Sequence, residues 1–158
     1  MKSRYFCNYH LKKIHSNEVE AWQSWSAMMQ LGVKAFVECR VDAARNYLSA
    51  ALDISLLRCD CEVNELFSET HFIKPAEFLL RLYVVEGEFD RARNVLNKIK
   101  KASGESNISC TSIAESDGFL SKQYEAIEAE EKIFFTSSRC YKSAYYKGYL
   151  LNLSQAHH

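Results

Sequence analysis

The sequence predicts an all-α fold, and three observations carry that expectation. Across 158 residues there is one proline and five glycines, so long stretches run without a helix breaker. Apolar residues recur at the three- and four-residue intervals of a helix with one buried face, as in Ala44, Leu48 and Ala51. Finally, one set of spacings occurs twice. Leu31 to Ala44 is 13 residues, as is Leu79 to Ala92, and a leucine follows each alanine by 4, at Leu48 and Leu96. With 47% hydrophobic residues the chain can bury a sizeable core, and its length suits a single domain over 1–158.

Taken in order, residues 4–15 form a short amphipathic helix with Tyr5, Phe6, Tyr9 and Leu11 on its apolar side. Asn17 with Glu20 three residues on is a capping-box arrangement. It opens a helix to about Glu38 that presents Val19, Trp22, Trp25, Met29, Gly32, Val33 and Phe36. Its partner runs from Val41 to about Leu66. Ser68 to Lys74 links to a second pair over 75–86 and 89–102, with Pro75 in the first turn, where a missing N–H costs nothing. Gly87 sits at the turn inside this pair, where a positive φ ends one helix before the next, and Cys39 holds the same place in the first pair. Lys98, Lys100 and Lys101 suit a helix C-terminus. The polar run from Ser103 to Ser112 predicts a mobile loop over 104–117, and two C-terminal helices follow over 118–153.

These residues carry a family resemblance. Leu31-Gly32, Val41, Ala44, Leu48 and Ala51 form one copy, and Leu79, Tyr83, Gly87, Phe89, Ala92, Leu96 and Ile99 the other. The pattern resembles the tetratricopeptide repeat, a helix–turn–helix unit of about 34 residues. Met28 and Ala76 stand at the aromatic position that opens the first helix, and Leu56 and Gly104 at the closing proline. The copies lie 48 residues apart (Ala44 to Ala92), so 14 residues are inserted between about Leu57 and Lys74. The resemblance implies two helical hairpins over 17–103 in a fragment of a right-handed α-α superhelix, with N- and C-terminal capping helices. It also implies that the first helix of each pair lines a concave surface. Met29, Val33 and Phe36 (with Ser26), then Lys74, Glu77, Arg81 and Val84, would face a partner peptide there. The alternative is that the N-terminal helix covers these apolar residues.

Other classes find little footing. Twenty basic and 20 acidic residues give zero net charge, which argues against general nucleic-acid binding because no basic excess displaces counterions. No apolar run reaches the length of a membrane span, and no secretory leader opens the chain, so cytoplasmic residence with reduced thiols is expected. Cys59, Cys61 and His71, or Cys7 and His10, lack the paired spacing of a zinc site, so no metal or other cofactor is expected. No phosphate loop, metalloprotease motif or nucleophile elbow is visible, and a non-enzymatic protein is expected.

The last helix interleaves Tyr141, Tyr145, Tyr146 and Tyr149 with Lys142 and Lys147. Packing of the tyrosines on the repeats is the plain reading. A homodimer through Phe134, Tyr145, Tyr146 and Tyr149 is a second, and nucleic-acid or ligand binding by this helix a third. The expected activity is protein–protein interaction, as an adaptor, chaperone or assembly factor.

Overall fold

A computed structural model describes residues 6–59, 65–105 and 110–136, without the side chains of 59, 69, 103–105 and 110–117. Six helices account for nearly all of it: α1 (Asn8–Ser16), α2 (Glu18–Val37), α3 (Val41–Cys59), α4 (Glu69–Glu86), α5 (Phe89–Glu105) and α6 (Cys110–Thr136). No strand occurs among the described residues. Each helix from α2 onward packs on the next, α1 rests on α2 and α3, and α6 reaches back to α4.

The turns of the two hairpins α2–α3 and α4–α5 share three backbone hydrogen bonds at the 48-residue interval. Arg40 N–H donates to the Ala35 carbonyl at 2.8 Å, and 48 residues later Glu88 N–H donates to Tyr83 at 2.7 Å. Cys39 to Phe36 and Gly87 to Val84 are both 3.0 Å, and Ala44 to Arg40 and Ala92 to Glu88 are 2.9 and 3.1 Å. Both turns need a left-handed residue: Gly87 has φ 73° and Cys39 φ 56°. Glycine reaches that conformation freely, whereas a cysteine pays a steric cost through its Cβ.

Ala44 and Ala92 are fully buried at the helix crossings. At the first crossing the approach is closer still. A Cβ on Gly32 would lie 2.8 Å from Leu48 Cγ and 3.3 Å from the Leu48 backbone nitrogen. One large core joins Met29, Phe36, Leu48, Leu79, Leu96 and Ile127, and a smaller one holds Ile14, Ala21, Ile54, Leu57 and Phe67.

Several boundaries differ from those expected. In α1 the buried residue is Ile14, while Tyr9 is 63% exposed and the helix starts at Asn8 rather than residue 4. The Asn17 side chain accepts from Glu20 N–H at 3.2 Å, but the Glu20 carboxylate pairs with Lys13 at 3.3 Å across to α1. Helix α3 is assigned to Cys59 and does not reach Leu66. There the chain bends, Leu66 N–H donates to Glu18 at 2.7 Å, and Phe67 turns into the smaller core.

Helix α4 starts at Glu69, six residues before Pro75, so the proline lies inside it. An internal proline leaves the carbonyl four residues earlier without its helical donor. That carbonyl is His71, and the Trp25 indole N–H donates to it at 2.9 Å. Ser68 begins the helix: its backbone N–H donates to His71 Nδ1 at 3.0 Å, so a histidine takes the place of the usual capping glutamate.

Helix α6 begins at Cys110, so the loop expected over 104–117 does not extend that far; residues 106–109 lie outside the described ones. The polar serines there do not bar a helix, and Gly118 is accommodated within it, with open space where a Cβ would stand. The second of the two helices expected over 118–153 falls on residues 137–158, outside the described ones.

Candidate functional site

Helices α2, α4 and α6 form one layer, with α3 and α5 behind. Across the front layer, Trp25 packs on the His71 ring at a centroid distance of 4.6 Å and Phe36 on Phe78 at 5.3 Å, both edge-on. These contacts join α2 to α4 and decide what remains open on each.

Met29 and Phe36, two of the residues expected to face a partner, are buried core side chains instead, at 9% and 6% exposure. The i, i+4, i+7 row that contains them points toward α4. Val33 is half-buried at the edge of that core. The open line of α2 lies one row over, through Val19 (55% exposed), Trp22 (40%) and Val37 (72%), with Val33 beside it. Val19, Trp22 and Val37 were the residues missing from the expected set. Their signal was their own spacing: 19, 22, 26, 30, 33 and 37 stay on one helix face. The N-terminal helix does not cover this line; α1 docks through Ile14 into the smaller core with Ala21 and Leu57.

On α4 the expected residues come together better. Lys74 is exposed, and Glu77, Arg81 and Val84 line a cleft of about 200 Å³ with Leu80. The opposite wall is α6, through Gln123, Ala126, Ile127 and Glu130. Helix α6 therefore forms the second wall of this cleft. Neither Lys74 nor Arg81 forms an ion pair among the described residues; Lys74 is exposed, and Arg81, half-buried, lies in the cleft with Glu77 and Glu130. An arginine fork of this kind suits a carboxylate.

Polar bridges fix the layers behind. Lys98 reaches the buried Asp53 carboxylate at 2.5 Å, tying α3 to α5. Arg45 joins Glu88 at 3.3 Å and lies 5.2 Å from the centroid of the Tyr83 ring, which latches α3 onto the second turn. Arg58, buried, donates to the His15 carbonyl at 2.9 Å and holds the C-terminus of α1. Burial lowers the pKa of His71, and the nearby Lys74 charge pushes the same way, which favours the neutral ring that accepts from Ser68.

Of the self-association residues, Phe134 is half-buried, edge-on to Phe89 at 5.4 Å and seated over Gly87, where any Cβ would collide with its ring. Its neighbour Phe135 is the exposed one, at 71%. Tyr145, Tyr146 and Tyr149 lie outside the described residues, as does Cys61. Cys7 Sγ lies 3.1 Å from His10 Nδ1, and among the described residues no three candidate metal ligands converge. Among those residues, too, no helix is long and apolar enough to cross a membrane.

No family model matches the sequence, and no curated protein or solved structure matches the chain.

Proposed function

We propose that this protein is a non-enzymatic interaction module of tetratricopeptide-like build, an adaptor, chaperone or assembly factor that captures a segment of another protein. The groove runs over the front of α2 and α4. Val19, Trp22, Val33 and Val37 supply its apolar wall, and Lys74 and Arg81, with Glu77 and Val84 toward α6, its charged one. The reading rests above all on one observation: solvent-exposed apolar side chains, including a tryptophan, line α2, while on α4 Lys74 and Arg81 form no ion pair among the described residues. A cytoplasmic setting belongs to the same proposal.

The test is affinity recovery from the native host with wild type, Val33→Asp, Arg81→Glu and, outside the groove, Phe135→Asp. Loss of the recovered partner in the first two variants but not the third is expected. Unchanged recovery in Val33→Asp and Arg81→Glu, with circular dichroism showing both folded, would reject the groove.

A further inference from the structure

The shape of the exposed line constrains what can occupy it. Val19, Trp22, Ser26, Gln30, Val33 and Val37 succeed one another at steps of three or four residues, so the line follows the axis of α2. At about 1.5 Å per residue it is about 27 Å long. An extended peptide crossing the stack from α2 to α4 would meet one or two of these side chains. A rod laid along α2 meets them all.

Its neighbouring wall on α4 presents two cations in one row, with Glu77 and Glu130 set beside Arg81 in the cleft toward α6. Shifting the line by the 48-residue repeat places Lys74, Phe78, Arg81 and Val85 in the matching row of α4. Lys74 and Arg81 are two turns apart, so a regular helix opposite them can offer acidic side chains at both. The chain's own C-terminal segment has the wrong charge for that wall. Residues 137–158 contain Arg139, Lys142 and Lys147 and no Asp or Glu.

We infer that the occupant is a single amphipathic α-helix of another protein, about five turns long. Its apolar edge seats on Val19, Trp22, Val33 and Val37, and its acidic edge faces Lys74 and Arg81. This deepens the capture reading and depends on it.

Three synthetic 20-residue peptides, labelled for fluorescence anisotropy against the full chain, test the inference. The first carries leucines on one helical face and glutamates along the edge. The second replaces every glutamate with lysine, and the third keeps the composition of the first but has a proline pair at its centre. The first is expected to bind at least tenfold more tightly than the other two and to gain helical circular dichroism on binding. Trp22→Glu should weaken it at least tenfold. The double variant Lys74→Glu, Arg81→Glu should reverse the preference toward the lysine peptide.

Equal binding of the proline peptide, still lost in Trp22→Glu, would overturn the helical occupant and leave capture standing. Failure of the double variant to change the preference would overturn the acidic edge. If no peptide binds, and sedimentation shows a dimer that Trp22→Glu dissociates, the occupant is a second copy and the inference falls. If no peptide binds and host-partner recovery is also insensitive to Val33→Asp, the capture reading falls with it.

Discussion

The first and second hairpins share a backbone but not a front. Their turns use matching hydrogen bonds 48 residues apart, and each crossing is built on a buried alanine. Yet the open row of α2 carries Val19, Trp22 and Val37, while the matching row of α4 carries Lys74 and Arg81 alternating with Phe78 and Val85. The difference teaches that repeat geometry is held by few positions, chiefly the small residue at the crossing and the left-handed one at the turn. Positions on the open face are then free to diverge, and the proposed recognition is placed there.

Breaking the crossings should give the largest effects. Leu48 and Leu96 are equivalent and fully buried, so Leu48→Ala and Leu96→Ala should each cost about 2–5 kcal/mol in urea unfolding. The two hairpins should separate at the next step, because only the first has a glycine facing its leucine. Gly32→Ala forces a Cβ against Leu48 and should cost about 1–3 kcal/mol by overpacking. Combined with Leu48→Ala, its penalty should shrink, since the truncation removes the atoms it strikes; strict additivity would refute the close approach.

The join between the hairpins comes next. Trp25→Phe keeps an aromatic ring but removes the donor to the His71 carbonyl, and a loss of about 1–3 kcal/mol is expected. Pro75→Ala in that background restores the missing helical N–H and should recover part of the loss. No recovery would mean that the indole bond does not compensate for the proline.

A smaller effect sharpens the comparison of the turns. Cys39→Gly gives the first turn the residue of the second at a positive φ and should stabilise the chain by about 0.5–1 kcal/mol. Gly87→Ala should do the opposite, because φ is unfavourable and Phe134 occupies the space. The smallest effect is one of pH. His71 holds its proton less tightly in the folded chain than its ordinary value of 6.5. Above that value both states are neutral and stability is unaffected. Below it the unfolded chain protonates first, so stability falls with pH until the folded His71 also protonates. Urea midpoints at pH 7.5 and 5.5 should therefore drop more in wild type than in His71→Gln.

Much of this architecture was readable from the residues. The matched intervals around Ala44 and Ala92 located both crossings, and Gly87 marked a turn whose counterpart at Cys39 proved to have the same backbone. What escaped reading came from long-range compensation. Pro75 looked like a helix start because nothing nearby could satisfy the His71 carbonyl; the donor, Trp25, is 46 residues away. The capping box at Ser68 was hidden by a histidine in place of glutamate. On the site, α4 was read with its cleft residues, but on α2 the row holding Met29 and Phe36 was taken as open. Two adjacent rows of one helix are both apolar here, and periodicity alone does not say which meets Phe78 and which meets water.

Amide hydrogen exchange on the chain, alone and in the complex purified with its host partner, tests the central claim most directly. The account predicts slowed exchange on binding along Val19–Val37 and Thr70–Val85, with little change across the outer face of α5. Slowing confined to α5 and α6, with α2 and α4 unaltered, would contradict it.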